Sequence, residues 1–178
     1  MKSIFLLALA TFSRVSKLSS INFRSLRIEE DYLEYSLLSP RKTQTQSALA
    51  TFTVKRFRAD TLVCPVKCIS LYLKATAALR KPDSDLLFLA IKKPHYPVGT
   101  STIARWIKKI LRLSGIDIRT YSAHSTRGAS VSRVFAKGTS CDQILAKAGR
   151  KRKTTFQRFY NRSLDNEILT DCTYRTIR

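Results

Sequence analysis

Residues 123–130 read Ala-His-Ser-Thr-Arg-Gly-Ala-Ser, and residues 159–162 read Phe-Tyr-Asn-Arg. His124 and Arg127 stand three residues apart at a predicted helix start, so we expect them on one face of that helix. The planar guanidinium of arginine suits two oxygens of a phosphate, and an imidazole can donate or accept a proton near neutral pH. The pair therefore has the chemistry to act on a phosphodiester, although this spacing is common by chance.

The charge balance points to a polyanionic partner. The chain has 33 Lys and Arg against 12 Asp and Glu among 178 residues, a formal net charge of +21. Its hydrophobic residues, 44% of the total, can form a core, which excludes a wholly disordered basic tail. Nucleic acid is favoured over an anionic membrane surface, since the sequence contains no basic amphipathic helix with a Trp, Phe and Leu face. No run of about 18 apolar residues occurs, which excludes a membrane-spanning helix.

Apolar periodicity predicts a mainly helical α+β domain with one small antiparallel sheet. Period-two alternation predicts strands over about residues 32–39 and 48–57, with Arg41 and Lys42 in the turn between them. The predicted helices cover about residues 3–19, 65–79, 100–114, 125–137 and 141–148, followed by a last helical turn after Thr154 or Thr155.

Capping residues support two of these helices. Thr100 or Ser101 is expected to cap the helix over 100–114. Ser140 and Gln143 have capping-box spacing at the start of the helix over 141–148.

The N-terminal segment and the cysteines indicate whether the protein is secreted or intracellular. Lys2 and the apolar run over residues 4–10 imitate a secretory leader, and this interpretation makes the chain a small secreted basic protein. The run is short and Arg14 and Lys17 follow at once, so we expect a buried first helix, and also a missing upstream domain. The four cysteines have neither a zinc-site spacing nor the density of a disulfide framework, so we expect reduced thiols, no metal and an intracellular protein.

Taken together, these motifs resemble the catalytic domain of the tyrosine recombinase (phage integrase) family. Residues 7–14, Leu-Ala-Leu-Ala-Thr-Phe-Ser-Arg, are similar to its first arginine box, and residues 123–130 and 159–162 are similar to its later motifs. The recombinases of DIRS-like retrotransposons are the most similar over residues 62–66, 72–73, 93–95, 102–106 and 115–117. The resemblance implies a mainly α, α+β fold with a small three-stranded antiparallel sheet. It also implies a catalytic domain over 1–163, without the N-terminal core-binding domain, and a tail over 164–178.

The resemblance assigns a role to five residues in DNA strand cleavage and rejoining. Tyr160 is the nucleophile that becomes attached to the 3′ phosphate, and Arg14 and Arg127 hold the non-bridging oxygens. His124 assists proton transfer, and Lys42 is the general acid for the leaving 5′ oxygen, with neighbouring Arg41 as a competing alignment. No cofactor or metal is implied, and the partner is double-stranded DNA in a synaptic tetramer, in the nucleus of a eukaryote or otherwise in the cytoplasm.

Basic residues outside this group are expected to hold the flanking DNA. They are Arg105, Lys108, Arg150, Lys151, Arg152 and Lys153, of which the last four also fit a solvated turn or a localisation signal.

Two departures from the family pattern favour impaired catalysis. Lys17 stands three residues after the first arginine, where the family has an acidic residue. Arg150 follows Ala148-Gly149, where the family has His or Trp. A non-catalytic DNA-binding remnant of a mobile-element recombinase is therefore the alternative function. Each predicted site residue also has a purely structural interpretation, such as core packing for Tyr160.

Overall fold

The computed structural model describes residues 1–38 and 51–148, with the backbone alone for 145–148. The helices are α1 (Lys2–Thr11), α2 (Val15–Ser19), α3 (Pro65–Thr76), α4 (Thr100–Leu113), α5 (Ser125–Ala136) and α6 (Cys141–Ala148). The strands are β1 (Arg27–Ile28), β2 (Tyr32–Tyr35) and β3 (Phe52–Lys55). This arrangement confirms the predicted mainly helical α+β class with a three-stranded antiparallel sheet.

Helix α1 is the central element of the core. Its sequence is apolar on nearly every side, and Ile4, Phe5 and Leu7 are wholly buried. The helix packs against α3, α4 and α5, so it has no face left for solvent over most of its length. The prediction that the first helix is buried is confirmed.

The first helix is shorter than predicted, because the chain bends at Phe12 instead of continuing to residue 19. Phe12 has a left-handed backbone (φ 52°) and caps α1, and the N–H groups of both Phe12 and Ser13 donate to Ala8 O. A left-handed non-glycine residue costs about 1–3 kcal/mol, which surrounding contacts have to offset. The Phe12 side chain is buried with Val131 and Ile144, which are distant in sequence. The continuous apolar pattern could not reveal this break.

The small sheet has the strand order β1-β2-β3, and both pairs are antiparallel. Leu33 faces Val54 and Tyr35 faces Phe52 across β2 and β3. Leu33, Tyr35 and Val54 are buried, so the apolar side of the period-two alternation faces the core. Strands β2 and β3 are shorter than the two strands predicted over residues 32–39 and 48–57.

Helices α3 and α4 start close to where the sequence signals place them. Pro65 is the first residue of α3, as predicted, and a 3₁₀ turn over Ala77–Leu79 follows its end at Thr76. The predicted hydroxyl cap of α4 is wrong, because Gly99 is the N-cap and no side chain caps the helix. Gly115 follows α4 with a positive φ of 75°, the left-handed conformation that glycine adopts without steric cost.

The predicted capping box at α6 is confirmed by a reciprocal pair of hydrogen bonds. The Gln143 N–H donates to Ser140 Oγ at 3.3 Å, and the Ser140 N–H donates to Gln143 Oε1 at 3.3 Å. Two otherwise unsatisfied donors at the helix start are thereby paired.

Replacing Ser140 with alanine is expected to lower the free energy of unfolding by about 0.5–2 kcal/mol, because it removes the acceptor for the Gln143 N–H. Urea denaturation followed by circular dichroism measures this change. Ser101→Ala is the matched control, since Ser101 is exposed in the first turn of α4 without being its cap. Equal unfolding midpoints for the two variants contradict the capping role.

Several predicted features lie outside the described residues. They are the turn between the two strands with Lys42, the basic run over 150–153, the last helical turn with Tyr160, and the tail over 164–178.

Candidate functional site

Arg14 lies on the outer side of the bend between α1 and α2. It is exposed and is the N-cap of α2, with an extended backbone (φ −74°, ψ 154°). Its carbonyl oxygen accepts from the N–H groups of Lys17 at 2.9 Å and Leu18 at 3.2 Å. The bend therefore leaves the Arg14 guanidinium accessible to a ligand while its backbone is fixed in the first turn of α2.

Side-chain hydrogen bonds link the residues inside the bend. Thr11 Oγ1 donates to Leu7 O at 2.7 Å and also pairs with Ser13 Oγ at 2.7 Å. Both hydroxyl groups are buried, so this pairing satisfies polar groups that water cannot reach.

The loop before α5 is held by an aspartate turn. The Asp117 carboxylate accepts from the Arg119 N–H at 2.9 Å and from Thr120 Oγ1 at 3.0 Å. These bonds lower the pKa of Asp117, with the Arg119 backbone bond as the largest cause. The Tyr121 N–H closes the same turn by donating to Asp117 O at 2.9 Å. The turn fixes the direction in which the chain enters α5.

Two serines that the motif analysis did not single out organise the start of α5. Ser125 Oγ accepts from the Ser122 N–H at 3.0 Å, and Ser122 Oγ accepts from the His124 N–H at 3.2 Å. The Ser-x-x-Ser spacing just before the helix is the signal that could have identified them. His124 is the N-cap of α5, and its imidazole is exposed.

Arg127 is buried, in contrast to His124. Only 5% of Arg127 is exposed, and its N–H donates to His124 O at 3.2 Å in the first turn of α5. The two residues were expected on one face of the helix, but His124 faces solvent and Arg127 faces the interior. Arg127 belongs to the packed side of α5, together with Thr126 and Ser130, whose hydroxyls donate to backbone carbonyls.

A small apolar cluster connects the two arginine-bearing segments. Phe12 lies two residues before Arg14, and Val131 lies one turn after Arg127 on the same side of α5. Phe12, Val131 and Ile144 form one buried cluster, which joins the bend, α5 and α6. The structure therefore holds the segments of Arg14 and Arg127 together through packing that does not involve the arginines themselves.

Helix α4 carries the basic face that the sequence predicted. Ile103, Ile107 and Ile110 face the core. Arg105 and Lys108 are exposed on the other side, and Arg105 Nη2 donates to Thr102 Oγ1 at 3.2 Å. Exposed cations along one helix suit contact with a phosphate backbone. Lys109 and Arg112 are exposed as well and extend this face.

The remaining predicted site residues cannot be placed beside these. Lys42, Tyr160 and the run Arg150 to Lys153 lie outside the described residues. The roles of all the predicted site residues, placed or not, stay predictions. Among residues 1–38 and 51–148, no group of His, Cys, Asp and Glu could hold a metal ion. Within the same ranges, the helices are too short or too polar to cross a bilayer.

Comparison with solved structures assigns the fold to that of the tyrosine recombinases and integrases. The XerA recombinase structure is similar over 98% of this chain and 56% of its own, with a TM-score of 0.68 and 20% identity. A Tn1549 transposon integrase in complex with transposon right end DNA is similar over 90% of this chain and 54% of its own, at a TM-score of 0.64 and 17% identity. A lambda integrase dimer bound to a core site is similar over 92% of this chain and 53% of its own, at a TM-score of 0.57 and 18% identity.

These similarities define the fold and the extent of the match. This chain spans about half the length of the recombinases that it resembles. No protein-family profile matches the sequence, and no curated protein is detectably similar to it in sequence.

Proposed function

We propose that this chain is the catalytic domain of an enzyme that cleaves and rejoins DNA strands at specific sites through a 3′-phosphotyrosyl intermediate. One observation carries the proposal: the first arginine segment and the His-x-x-Arg segment are packed together by the cluster of Phe12, Val131 and Ile144. The fold in which these two segments are packed together is shared with recombinases that were solved in complex with DNA. The net charge of +21 suits a DNA partner.

In the proposed reaction, one phosphodiester bond is exchanged for another. The Tyr160 oxygen attacks phosphorus and loses its proton with the assistance of His124, and the bond to the 5′ oxygen breaks. Lys42 gives a proton to that leaving oxygen. Arg14 and Arg127 hold the two non-bridging oxygens, on which negative charge increases at the pentacoordinate stage. Rejoining is the reverse sequence with a second 5′ hydroxyl, so the bond energy is retained and no nucleotide cofactor is needed.

The proposal extends to origin and organisation. The segments over 62–66, 93–95 and 102–106 favour a DIRS-like retrotransposon as the source. We assign residues 1–163 to the catalytic domain and 164–178 to a tail, and we expect a synaptic tetramer on duplex DNA. A nuclear location follows for a eukaryotic source.

A non-catalytic DNA-binding remnant is the second candidate function. Its support is specific: the family pattern has an acid at the position of Lys17 and His or Trp at the position of Arg150. Both functions predict binding to duplex DNA, whereas only the enzyme forms a covalent bond to it.

The test is a covalent-capture experiment. The full chain is incubated with a pool of nicked suicide duplexes of randomised central sequence, and protein–DNA adducts are separated on a denaturing gel. We expect an adduct that Tyr160→Phe abolishes and Tyr174→Phe retains, because the ring without its hydroxyl cannot attack phosphorus. An adduct that survives Tyr160→Phe contradicts the assignment of Tyr160. Binding of the pool without any adduct supports the remnant.

A further inference from the structure

Lys17 contacts the sheet through an aromatic ring, which no pattern in the sequence indicates. Its Nζ lies 5.4 Å from the centroid of the Phe52 ring, which is within the range of a cation–π interaction. Phe52 in turn stacks on Tyr35, with ring centroids 5.3 Å apart and planes 15° from parallel. Tyr35 is buried and faces Phe52 directly across β2 and β3. The Lys17 ammonium group thus contacts the Phe52 ring, which stacks on the buried ring of Tyr35.

The same helix carries Arg14 at its start. Lys17 and Arg14 share the first turn of α2, where the Lys17 N–H donates to Arg14 O at 2.9 Å. Val15 and Leu18 are buried and α2 packs against α4, so the other side of this short helix is fixed by apolar contact. The Lys17–Phe52 contact adds a connection from α2 to β3.

The sheet end of this contact is also relevant to the site. Phe52 is the first residue of β3, and the segment that joins β2 to β3 carries Lys42 in the sequence. The contact therefore connects α2, whose N-cap is Arg14, to β3, the strand that follows Lys42 in the sequence.

We propose that Lys17 is a positioning residue that fixes the Arg14 segment against β3, and is not a sign of lost function. The inference rests on the proposed function for its effect on DNA cleavage. A cation on the electron-rich face of an aromatic ring is attracted, whereas a carboxylate at the same place is repelled. In this chain the lysine is therefore the residue that suits the site, and glutamate would disturb it.

The activity test compares four variants in the suicide-duplex assay. Lys17→Glu is expected to slow adduct formation by about 10-fold or more, because misplacement of a site residue strongly affects the rate. Lys17→Met is expected to slow it by a smaller factor, and Lys17→Arg to stay within about 3-fold of the parent, because arginine also binds ring faces. Lys67→Glu makes the same charge change on the exposed start of α3 and is the matched control. Adduct formation by Lys17→Glu at or above the parent rate overturns the proposal.

A second measurement separates this inference from the proposed function. In NMR spectra of the full chain, the ε-methylene protons of Lys17 are expected at a ring-shifted position that Phe52→Leu abolishes. Lys17→Met is expected to move the Nε–Hε signal of Arg14, and Lys67→Met is expected to leave it in place. An unmoved Arg14 signal overturns the positioning role. If the parent forms no adduct, the proposed function fails, and the NMR result alone decides the role of Lys17.

Discussion

Replacing Arg127 with methionine is expected to slow formation of the covalent protein–DNA adduct by about 10²–10³-fold, the usual cost of removing a donor that stabilises transition-state charge. Arg127 is almost fully buried at the start of α5, so its guanidinium has a restricted set of positions. Methionine keeps most of the aliphatic volume of the arginine stem, so much of the apolar packing of this side chain is retained. Single-turnover cleavage of a suicide duplex measures the rate.

Two further variants make this result specific. Arg127→Lys is expected to recover only part of the rate, because an ammonium group lacks the planar fork that holds two oxygens. Arg58→Met is the control, since it removes one charge from an exposed arginine that pairs with Asp31. Unchanged cleavage by Arg127→Met, with unfolding like that of the parent, contradicts a role for Arg127 at the phosphate.

Replacing Leu7 with alanine is expected to lower the free energy of unfolding by about 2–5 kcal/mol, because the smaller side chain leaves a cavity in the core. Leu7 is 0% exposed in α1, which packs against α3, α4 and α5. Urea denaturation of the full chain measures the change. The result also tests the secretory-leader interpretation, because a segment that is only a leader does not contribute to the stability of the domain.

The control for Leu7 makes the same chemical change on the surface. Leu71 in α3 is 57% exposed, so Leu71→Ala is expected to cost less than about 1 kcal/mol. Similar costs for the two variants contradict the central position of α1.

Several elements of the fold around the candidate site could be predicted from the sequence because their signals are local. The Ser140–Gln143 capping box and the start of α5 just after His124 depend on groups a few residues apart, so their spacing is visible along the chain. The inward face of β2 was readable from its alternation for the same reason. The roles of Tyr160 and Lys42 follow from the motif resemblance and stay predictions.

The sequence by itself determined the fold class, the start of most helices, the basic face of α4 and the type of chemistry that the motifs suit. Only the tertiary structure decided where the first helix ends, that Arg127 is buried while His124 is exposed, and what Lys17 contacts. The end of the first helix and the contact of Lys17 depend on side chains that are distant along the chain: Phe12 with Val131 and Ile144, and Lys17 with Phe52. The burial of Arg127 depends likewise on the packing of α5 against α1 and α6. Periodicity and spacing record hydrogen bonds and faces within one element, whereas packing between elements depends on how all of them fit together.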